Sequence, residues 1–341
     1  MEHLSLLIVC VVVAGLAFDF VNGFHDAANS IATIVATKVL TPHQAVLWAA
    51  FFNVVAAFCF GTGVAGTVGS GMVALDAVTP LVILCGLLGA ILWGLITWRL
   101  GLPTSSSHAL LGGYAGAAMA NSVLHKGWGM MYAPIIASGW IRVLVFILIA
   151  PLVGLIISFS TTKILIYFRE HRHFSFSEKT YRRLQLGSSA FLSLMHGSND
   201  AQKTAGILAG ALTSAGVLSV FSVPPWVLGA SYTMMGLGTL FGGWRIVRTM
   251  GYGLTKLDSQ GGVCAESAAA ISILWATIVD LPISTTQVIT GAILGVGSAN
   301  DAHKVRWRIA RHIALGWIFT IPASAFVGGC VMALGFAIGG K

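Results

Sequence analysis

Residues 23–30 read GFHDAANS, and residues 197–204 read GSNDAQKT. Each octapeptide has Gly at its first position, Asp-Ala at its centre and a hydroxyl residue at its end. A second matching pair follows, because residues 102–108 read LPTSSSH and residues 281–287 read LPISTTQ. The two motifs recur in the same order and at nearly equal spacing, which indicates that the chain arose by internal duplication.

The composition predicts that most of the chain lies in a membrane. Of the 341 residues, 56% are hydrophobic and 9% are charged, whereas soluble domains carry about 25% charged residues. Mean hydropathy is +0.87. Apolar runs such as Leu81–Trp98 and Ile313–Ile338 approach or exceed the roughly 20 residues that cross a bilayer. We therefore expect an all-α polytopic membrane protein with about 10–12 transmembrane segments.

The basic residues predict the orientation of the two halves. Of 19 Lys and Arg residues, 13 lie in the connections Lys163–Arg183, Arg245–Lys256 and Lys304–Arg311. Such clusters mark cytoplasmic loops, so the basic charge does not call for a nucleic-acid partner. Each half then contains a broken first span, a second span, an apolar hairpin around the Leu-Pro motif and a last span. Both termini fall on the non-cytoplasmic side.

This arrangement predicts a two-repeat architecture. Residues 1–160 form the first transmembrane repeat, residues 161–185 a short basic cytoplasmic loop, and residues 186–341 a second repeat of inverted topology. Inverted repeats with polar breaks at corresponding positions are typical of secondary transporters, whose site lies at the membrane midplane.

The duplicated aspartates are the first candidate site residues. A carboxylate in an apolar span is costly and usually functional, although Asp26 or Asp200 could also cap a helix or pair with a nearby cation. Asn22, Asp26 and Asn29 have helical spacing and would share a face if the helix were continuous; Asp19 extends that stripe. Carboxylate and amide oxygens suit a hard cation such as Na⁺, and a carboxylate that exchanges a proton would serve H⁺ coupling equally well.

The Leu-Pro motifs supply the complementary chemistry. Proline followed by hydroxyl residues is typical of a helix start, where free N–H groups and the helix dipole favour an anion. Two such starts could surround a tetrahedral oxyanion, and the alternative is a Ser/Thr-rich cap. Lys203 could balance a divalent anion or pair with Asp200. His25, His108 and His196 show no metal-ligand spacing and are weaker candidates. Glu266 and Asp280 are acids without a repeated counterpart.

The segments GFHDAAN (residues 23–29) and HGSNDAQK (residues 196–203) resemble the paired signatures of the inorganic phosphate transporter (PiT) family, and the Leu-Pro segments resemble its second shared motif. His25 precedes the first Asp where many members have Asn, which resembles bacterial members thought to couple to protons or to carry metal–phosphate. The resemblance covers essentially the whole chain. It implies a secondary transporter that imports orthophosphate by Na⁺ or H⁺ symport, with free phosphate and metal–phosphate both open as the substrate.

The resemblance also assigns roles to matching positions. The cation residues are Asp26, Asn29, Asn199 and Asp200, to which we add the neighbouring Asn22 and His25. The phosphate residues are Ser105, Ser106, Ser107, Ser284, Thr285 and Thr286, to which we add Lys203.

Two other functions remain open from the residues. A passive anion channel could use the same helix starts without paired carboxylates. A membrane enzyme acting on phosphorylated lipids would need a nucleophile and base, for which Ser105 with His108 is a loose candidate; Gln287 at the matching position argues against it. We expect a transporter in the plasma or inner membrane, with phosphate, a coupling cation and lipid as partners and no cofactor. Monomer and homodimer both stay open, as does a metal site.

Overall fold

The computed structural model describes residues 2–172 and 176–339, which form twelve α-helices and four short 3₁₀ helices without a β-strand. The helices of the first half are α1 (Glu2–Ala36), α2 (Pro42–Val55), α3 (Gly63–Gly71), α4 (Pro80–Leu100), α5 (Ser106–Lys126) and α6 (Ala137–His171). Those of the second half are α7 (Glu178–Ser214), α8 (Pro225–Phe241), α9 (Trp244–Gly253), α10 (Ser259–Ile278), α11 (Thr285–Asp301) and α12 (Trp307–Gly339). The all-α prediction is confirmed.

The first helix of each half is continuous, so the prediction of a broken first span is wrong. Helix α1 runs through its octapeptide for 35 residues, and α7 does so for 37 residues. The polar side chains of both octapeptides point into the protein rather than into lipid. Most of them find hydrogen-bond partners there, so the backbone does not need to unwind to satisfy them.

The breaks lie in the later helices of each half. Helices α2 and α3 are separated by a bend of 83°, and Gly242 and Gly243 separate α8 from α9. Gly101 ends α4 with φ +67°, a conformation that glycine adopts without steric cost. The Leu-Pro motifs form the short links of two hairpins, α4–α5 and α10–α11, as expected.

Several helices are long and apolar enough to span a bilayer. Within the part of the chain that the structure describes, five helices meet this criterion, and the bent α2–α3 pair would make six. They are Leu6–Ala36, Pro80–Leu100, Ala137–His171, Ser259–Ile278 and Trp307–Ile338. Helix α7 carries many polar residues but buries them against other helices, so hydropathy alone does not find it. The count of ten to twelve spans stays a prediction.

Contacts between the halves come in matching pairs. Helix α1 packs on α8 and α9, while α7 packs on α2 and α3. Helix α5 packs on α12, and α11 packs on α6. A Cβ on Gly23 would lie 2.0 Å from the Met235 main-chain oxygen, and one on Gly197 would lie 2.6 Å from that of Asn53. The first glycine of each octapeptide therefore permits the same close helix approach in both halves.

The basic connections lie at one end of the helix bundle. Arg182 donates to the main-chain oxygen of Lys38, just after α1, and Arg245 donates to that of Arg99, near the end of α4. Arg306 donates to the main-chain oxygen of Tyr252, which ties the second and third connections together. Helices α1, α4 and α6 run towards this end, whereas α7, α10 and α12 start from it. Residues 2 and 339 consequently lie towards the opposite end.

Candidate functional site

The site forms where the polar faces of α1 and α7 meet the starts of α5 and α11. Helices α1 and α7 pack against each other in the centre of the protein. Their octapeptides place buried carboxylate, amide, amine and imidazole groups on the facing surfaces. Ser105 and Ser284 are the N-caps of α5 and α11. The hydroxyls in the first turns of these helices contact the octapeptide groups.

Each aspartate accepts a hydrogen bond from the Leu-Pro motif of its own half. Ser106 Oγ donates to Asp26 Oδ2 at 2.6 Å, and Thr285 Oγ1 donates to Asp200 Oδ2 at 3.0 Å. Ser106 and Thr285 occupy the same position of the repeated motif. The duplication is therefore preserved in the hydrogen bonds as well as in the sequence.

The next residue of each Leu-Pro motif accepts a hydrogen bond from the octapeptide of the opposite half. Asn29 Nδ2 donates to Thr286 Oγ1 at 3.0 Å, and Lys203 Nζ donates to Ser107 Oγ at 2.6 Å. Asn29 and Lys203 are again at matching positions, as are Thr286 and Ser107. Thr286 Oγ1 also donates to the Thr104 main-chain oxygen at 3.4 Å. These bonds bring the starts of α5 and α11 together into one site that neither half could form alone.

Lys203 places a positively charged side chain in this site. Its Nζ lies 2.6 Å from Asp200 Oδ1 and also donates to the main-chain oxygen of Ile283 at 2.6 Å. The ion pair with Asp200, one of the two alternatives for Lys203 in the sequence, is thus present. With Ser107, all three N–H groups of the amine are used. A buried amine with three partners of this kind holds the second aspartate and both Leu-Pro motifs in place.

Two of the predicted phosphate residues cap the helices that they precede. Ser105 Oγ accepts a hydrogen bond from the His108 N–H at 3.2 Å, and Ser284 Oγ accepts one from the Gln287 N–H at 3.3 Å. Both hydroxyls are helix N-caps. The other four hydroxyl residues (Ser106, Ser107, Thr285 and Thr286) face the octapeptides.

The residue before each aspartate anchors the hairpin of its own half. His25 Nε2 lies 3.1 Å from Thr97 Oγ1 on α4, and Asn199 Nδ2 donates to Thr277 Oγ1 on α10 at 3.2 Å. His25 differs in a second contact, because its Nδ1 lies 2.7 Å from Asp26 Oδ1. Asn199 instead accepts from the Ile283 N–H at 3.4 Å.

Asn22 lies one turn before Asp26 and lines a narrow cleft together with His25 and Ser106. Its Oδ1 is buried and has no hydrogen-bond partner among the described residues, and the same holds for Oδ1 of Asn29. Both amide oxygens are available to a cation beside Asp26.

His196 belongs to the site, although no metal-ligand spacing in the sequence links it to His25 or His108. Its Nε2 lies 3.2 Å from Asp200 Oδ2. Asp26, His196 and Asp200 each place one ligand atom so that all three atoms lie within 4.8 Å of one another. Two carboxylates and an imidazole suit a cation in this position. The spacing of four residues between His196 and Asp200 would have revealed the shared helix face.

The remaining candidates lie outside this cluster. Glu266 is fully buried and accepts hydrogen bonds from Thr33, Gln185 and Ser188, so it joins α1, α7 and α10. Asp280 lies in the exposed link after α10. His108 directly follows Ser107 in the sequence and is buried. Its Nδ1 has no hydrogen-bond partner in the described chain.

Comparisons with known proteins identify the family of the chain. Residues 22–328 match the family model described as PHO4, the phosphate transporter family. The chain is 45% identical over 322 residues to a probable low-affinity inorganic phosphate transporter of Rhizobium meliloti, covering 94% of each chain. It is 40% identical to a protein of the same description from Bacillus subtilis, covering 96% of this chain and 97% of that one.

One solved structure has a closely similar fold. It is entitled the sodium-dependent phosphate transporter and superimposes with a TM-score of 0.82, at 23% sequence identity, over 96% of this chain and 98% of that chain. At this identity the likeness concerns the fold. With the family match over most of the sequence, it leads to one conclusion: the chain is a membrane protein that belongs to the phosphate transporter family, and not an enzyme.

Proposed function

We propose that this protein is a secondary active transporter that imports inorganic phosphate together with a cation across the plasma or inner membrane. The main support for the proposal is a pair of hydrogen bonds between the halves. Lys203 donates one to Ser107, and Asn29 donates the other to Thr286. Two helix starts, four inward hydroxyls and one amine together provide the donors that a tetrahedral dianion needs.

Phosphate would compete with the aspartates for these donors. Ser106 now donates to Asp26, and Thr285 donates to Asp200. An anion that accepts from the same hydroxyls would lie beside both carboxylates, and like charges at such short range in a dry site repel strongly. A bound cation or proton must therefore accompany the phosphate, which is the physical basis of symport.

The trio of Asp26, His196 and Asp200 is the proposed place for that cation. Oxygen from Asn22 and Asn29 could complete the coordination, because neither Oδ1 has a partner among the described residues. Na⁺ and H⁺ are the two candidates for the coupling ion. The imidazole in the trio also fits a divalent metal that travels with phosphate as a complex.

Alternating access would arise from two repeats of inverted topology. The matching contacts of α1 with α8 and of α7 with α2 support a two-fold relation between the halves. The opposite directions of α1 and α7 with respect to the basic connections support the inversion. With those connections in the cytoplasm, rocking of one repeat against the other would open the site to each side in turn.

Uptake of radioactive phosphate into proteoliposomes tests the proposal. We expect an inward Na⁺ gradient or an inward proton gradient, imposed separately, to drive phosphate above its electrochemical equilibrium. The gradient that succeeds identifies the coupling ion. A passive anion channel would let phosphate reach equilibrium but never exceed it, and this result would overturn the proposal.

A further inference from the structure

A second buried acidic group lies apart from the phosphate site. Asp19 is on α1, two turns before Asp26, and its side chain is fully buried. Its carboxylate faces the hydroxyls of Thr204 on α7 and Ser231 on α8, where these three helices pack against one another. None of these side-chain oxygens has a hydrogen bond of ordinary geometry to any described residue.

No positive group of the described protein balances Asp19. The amine of Lys203 already donates to Ser107, Asp200 and a main-chain oxygen. His25 and His196 lie against the other two aspartates. Asp200 is near enough for its charge to act on Asp19 and adds repulsion. An unpaired carboxylate in such a place is strongly unfavourable unless a bound cation or a proton compensates its charge.

We propose that Asp19, Thr204 and Ser231 bind Na⁺ at a site separate from the Asp26–His196–Asp200 trio. A hard cation binds oxygen ligands at about 2.3–2.6 Å, with the oxygens directed at the cation rather than at one another. One buried carboxylate and two hydroxyls that face one another without a hydrogen bond of ordinary geometry fit such a site.

The duplication shows that this group occurs once. The position that matches Asp19 in the second octapeptide helix is Ser193, and the position that matches Thr204 is Ser30. Ser193 donates to the main-chain oxygen of Ser189 at 2.9 Å, and Ser30 lies 3.4 Å from His196 Nδ1. Both serines have partners and neither position carries a carboxylate, so the equivalent place in the other half has no buried charge that needs a cation.

The proposed site is coupled to phosphate through α7, and this coupling role rests on the proposed function. Thr204 directly follows Lys203 and lies one helical turn after Asp200. A cation at Asp19 would offset the repulsion that Asp19 and Asp200 exert on each other. It would thereby favour an additional anion beside Asp200, so Na⁺ should raise the affinity for phosphate.

Binding of radioactive ²²Na⁺ to the purified full-length protein tests the site without requiring transport. We expect the wild-type protein to bind Na⁺ in phosphate-free choline buffer and Asp19→Asn to lower the affinity by about tenfold or more. Thr204→Val and Ser231→Ala keep the carboxylate and should each weaken binding by about threefold to tenfold. Ser193→Ala, at the matching position, should bind as the wild type does.

The site is disproved if the wild-type protein binds no Na⁺, or if Asp19→Asn binds with unchanged affinity and stoichiometry. Where Asp19→Asn does not fold, unchanged affinity in both Thr204→Val and Ser231→Ala disproves it instead. Phosphate uptake is measured separately on the same preparations. Na⁺ binding that depends on Asp19, without any phosphate uptake, would support the site and refute the proposed transport.

Discussion

Lys203 on α7 donates a hydrogen bond of 2.6 Å to Ser107 at the start of α5, in the opposite half of the protein. The same amine pairs with Asp200 at 2.6 Å. One side chain therefore connects the second carboxylate to the anion-binding motif of the first half. The matching residue of the first octapeptide, Asn29, makes the equivalent bond to Thr286 without a charge.

Replacement of Lys203 should abolish phosphate transport and destabilise the protein. In Lys203→Met the buried Asp200 loses its ionic partner, which costs about 3–5 kcal/mol of folding free energy. Uptake in proteoliposomes and thermal unfolding in detergent measure the two effects.

The double variant Asp200→Asn, Lys203→Met separates the effect on transport from the effect on stability. It removes the unpaired charge, so we expect most of the stability to return while uptake stays absent. Full uptake by either variant would show that the amine takes no part in phosphate binding.

Exchange of Asn29 and Lys203 tests the equivalence of the halves. Lys203→Asn alone should lower phosphate uptake by about 100-fold, because it removes charge-assisted hydrogen bonds. Adding Asn29→Lys places the amine three residues after Asp26, as Lys203 follows Asp200. We expect the double variant to recover about tenfold of the lost uptake. If it transports no better than the single variant, the two positions are not equivalent.

Two serines of the first Leu-Pro motif should respond differently to substitution. Ser105 caps α5, so Ser105→Ala should lower the folding free energy by about 1 kcal/mol and leave the KM for phosphate nearly unchanged. Ser107 contacts Lys203, so Ser107→Ala should raise the KM by about tenfold. Uptake kinetics and thermal unfolding of both variants provide the comparison. A larger rise in KM for Ser105→Ala would show that its hydroxyl leaves the cap to bind substrate.

Glu266 should prove structural rather than coupled to transport. It accepts hydrogen bonds from Thr33, Gln185 and Ser188, all buried. Glu266→Leu leaves these donors unsatisfied and should destabilise the protein by about 2–4 kcal/mol. Glu266→Gln keeps most of the bonds and should transport phosphate as the wild type does. Loss of uptake in a stable Glu266→Gln protein would assign the carboxyl group to ion transfer.

Much of the site could be predicted because the duplication marks it. Asp26 and Asp200 were found from the repeated octapeptides, and the inward hydroxyls were found from the repeated Leu-Pro segments. The helical spacing of Asn22, Asp26 and Asn29 also matches a continuous α1. The break expected in that helix does not occur, because side chains of other helices form hydrogen bonds with its polar groups, as Thr97 does with His25 and Ser106 with Asp26.

The other features of the site could not be predicted, because they depend on contacts between distant parts of the chain. Hydroxyls in one motif look alike in sequence, yet Ser105 caps its own helix and Ser106 contacts Asp26. The role of His196 follows from the packing of α1 on α7, which brings Asp26 near it. Asp19 has no repeated counterpart, so similarity between the halves could not mark it.

Phosphate uptake by Asp26→Asn and Asp200→Asn, at matched insertion into proteoliposomes, tests the shared site most directly. Asp301→Asn is the control, because Asp301 forms a pair of 3.2 Å with Lys304 far from the octapeptides in an exposed connection. We expect both octapeptide variants to lose about 100-fold or more in uptake and the control to keep the wild-type rate. Wild-type uptake by Asp200→Asn would show that phosphate and its cation do not bind between the two halves.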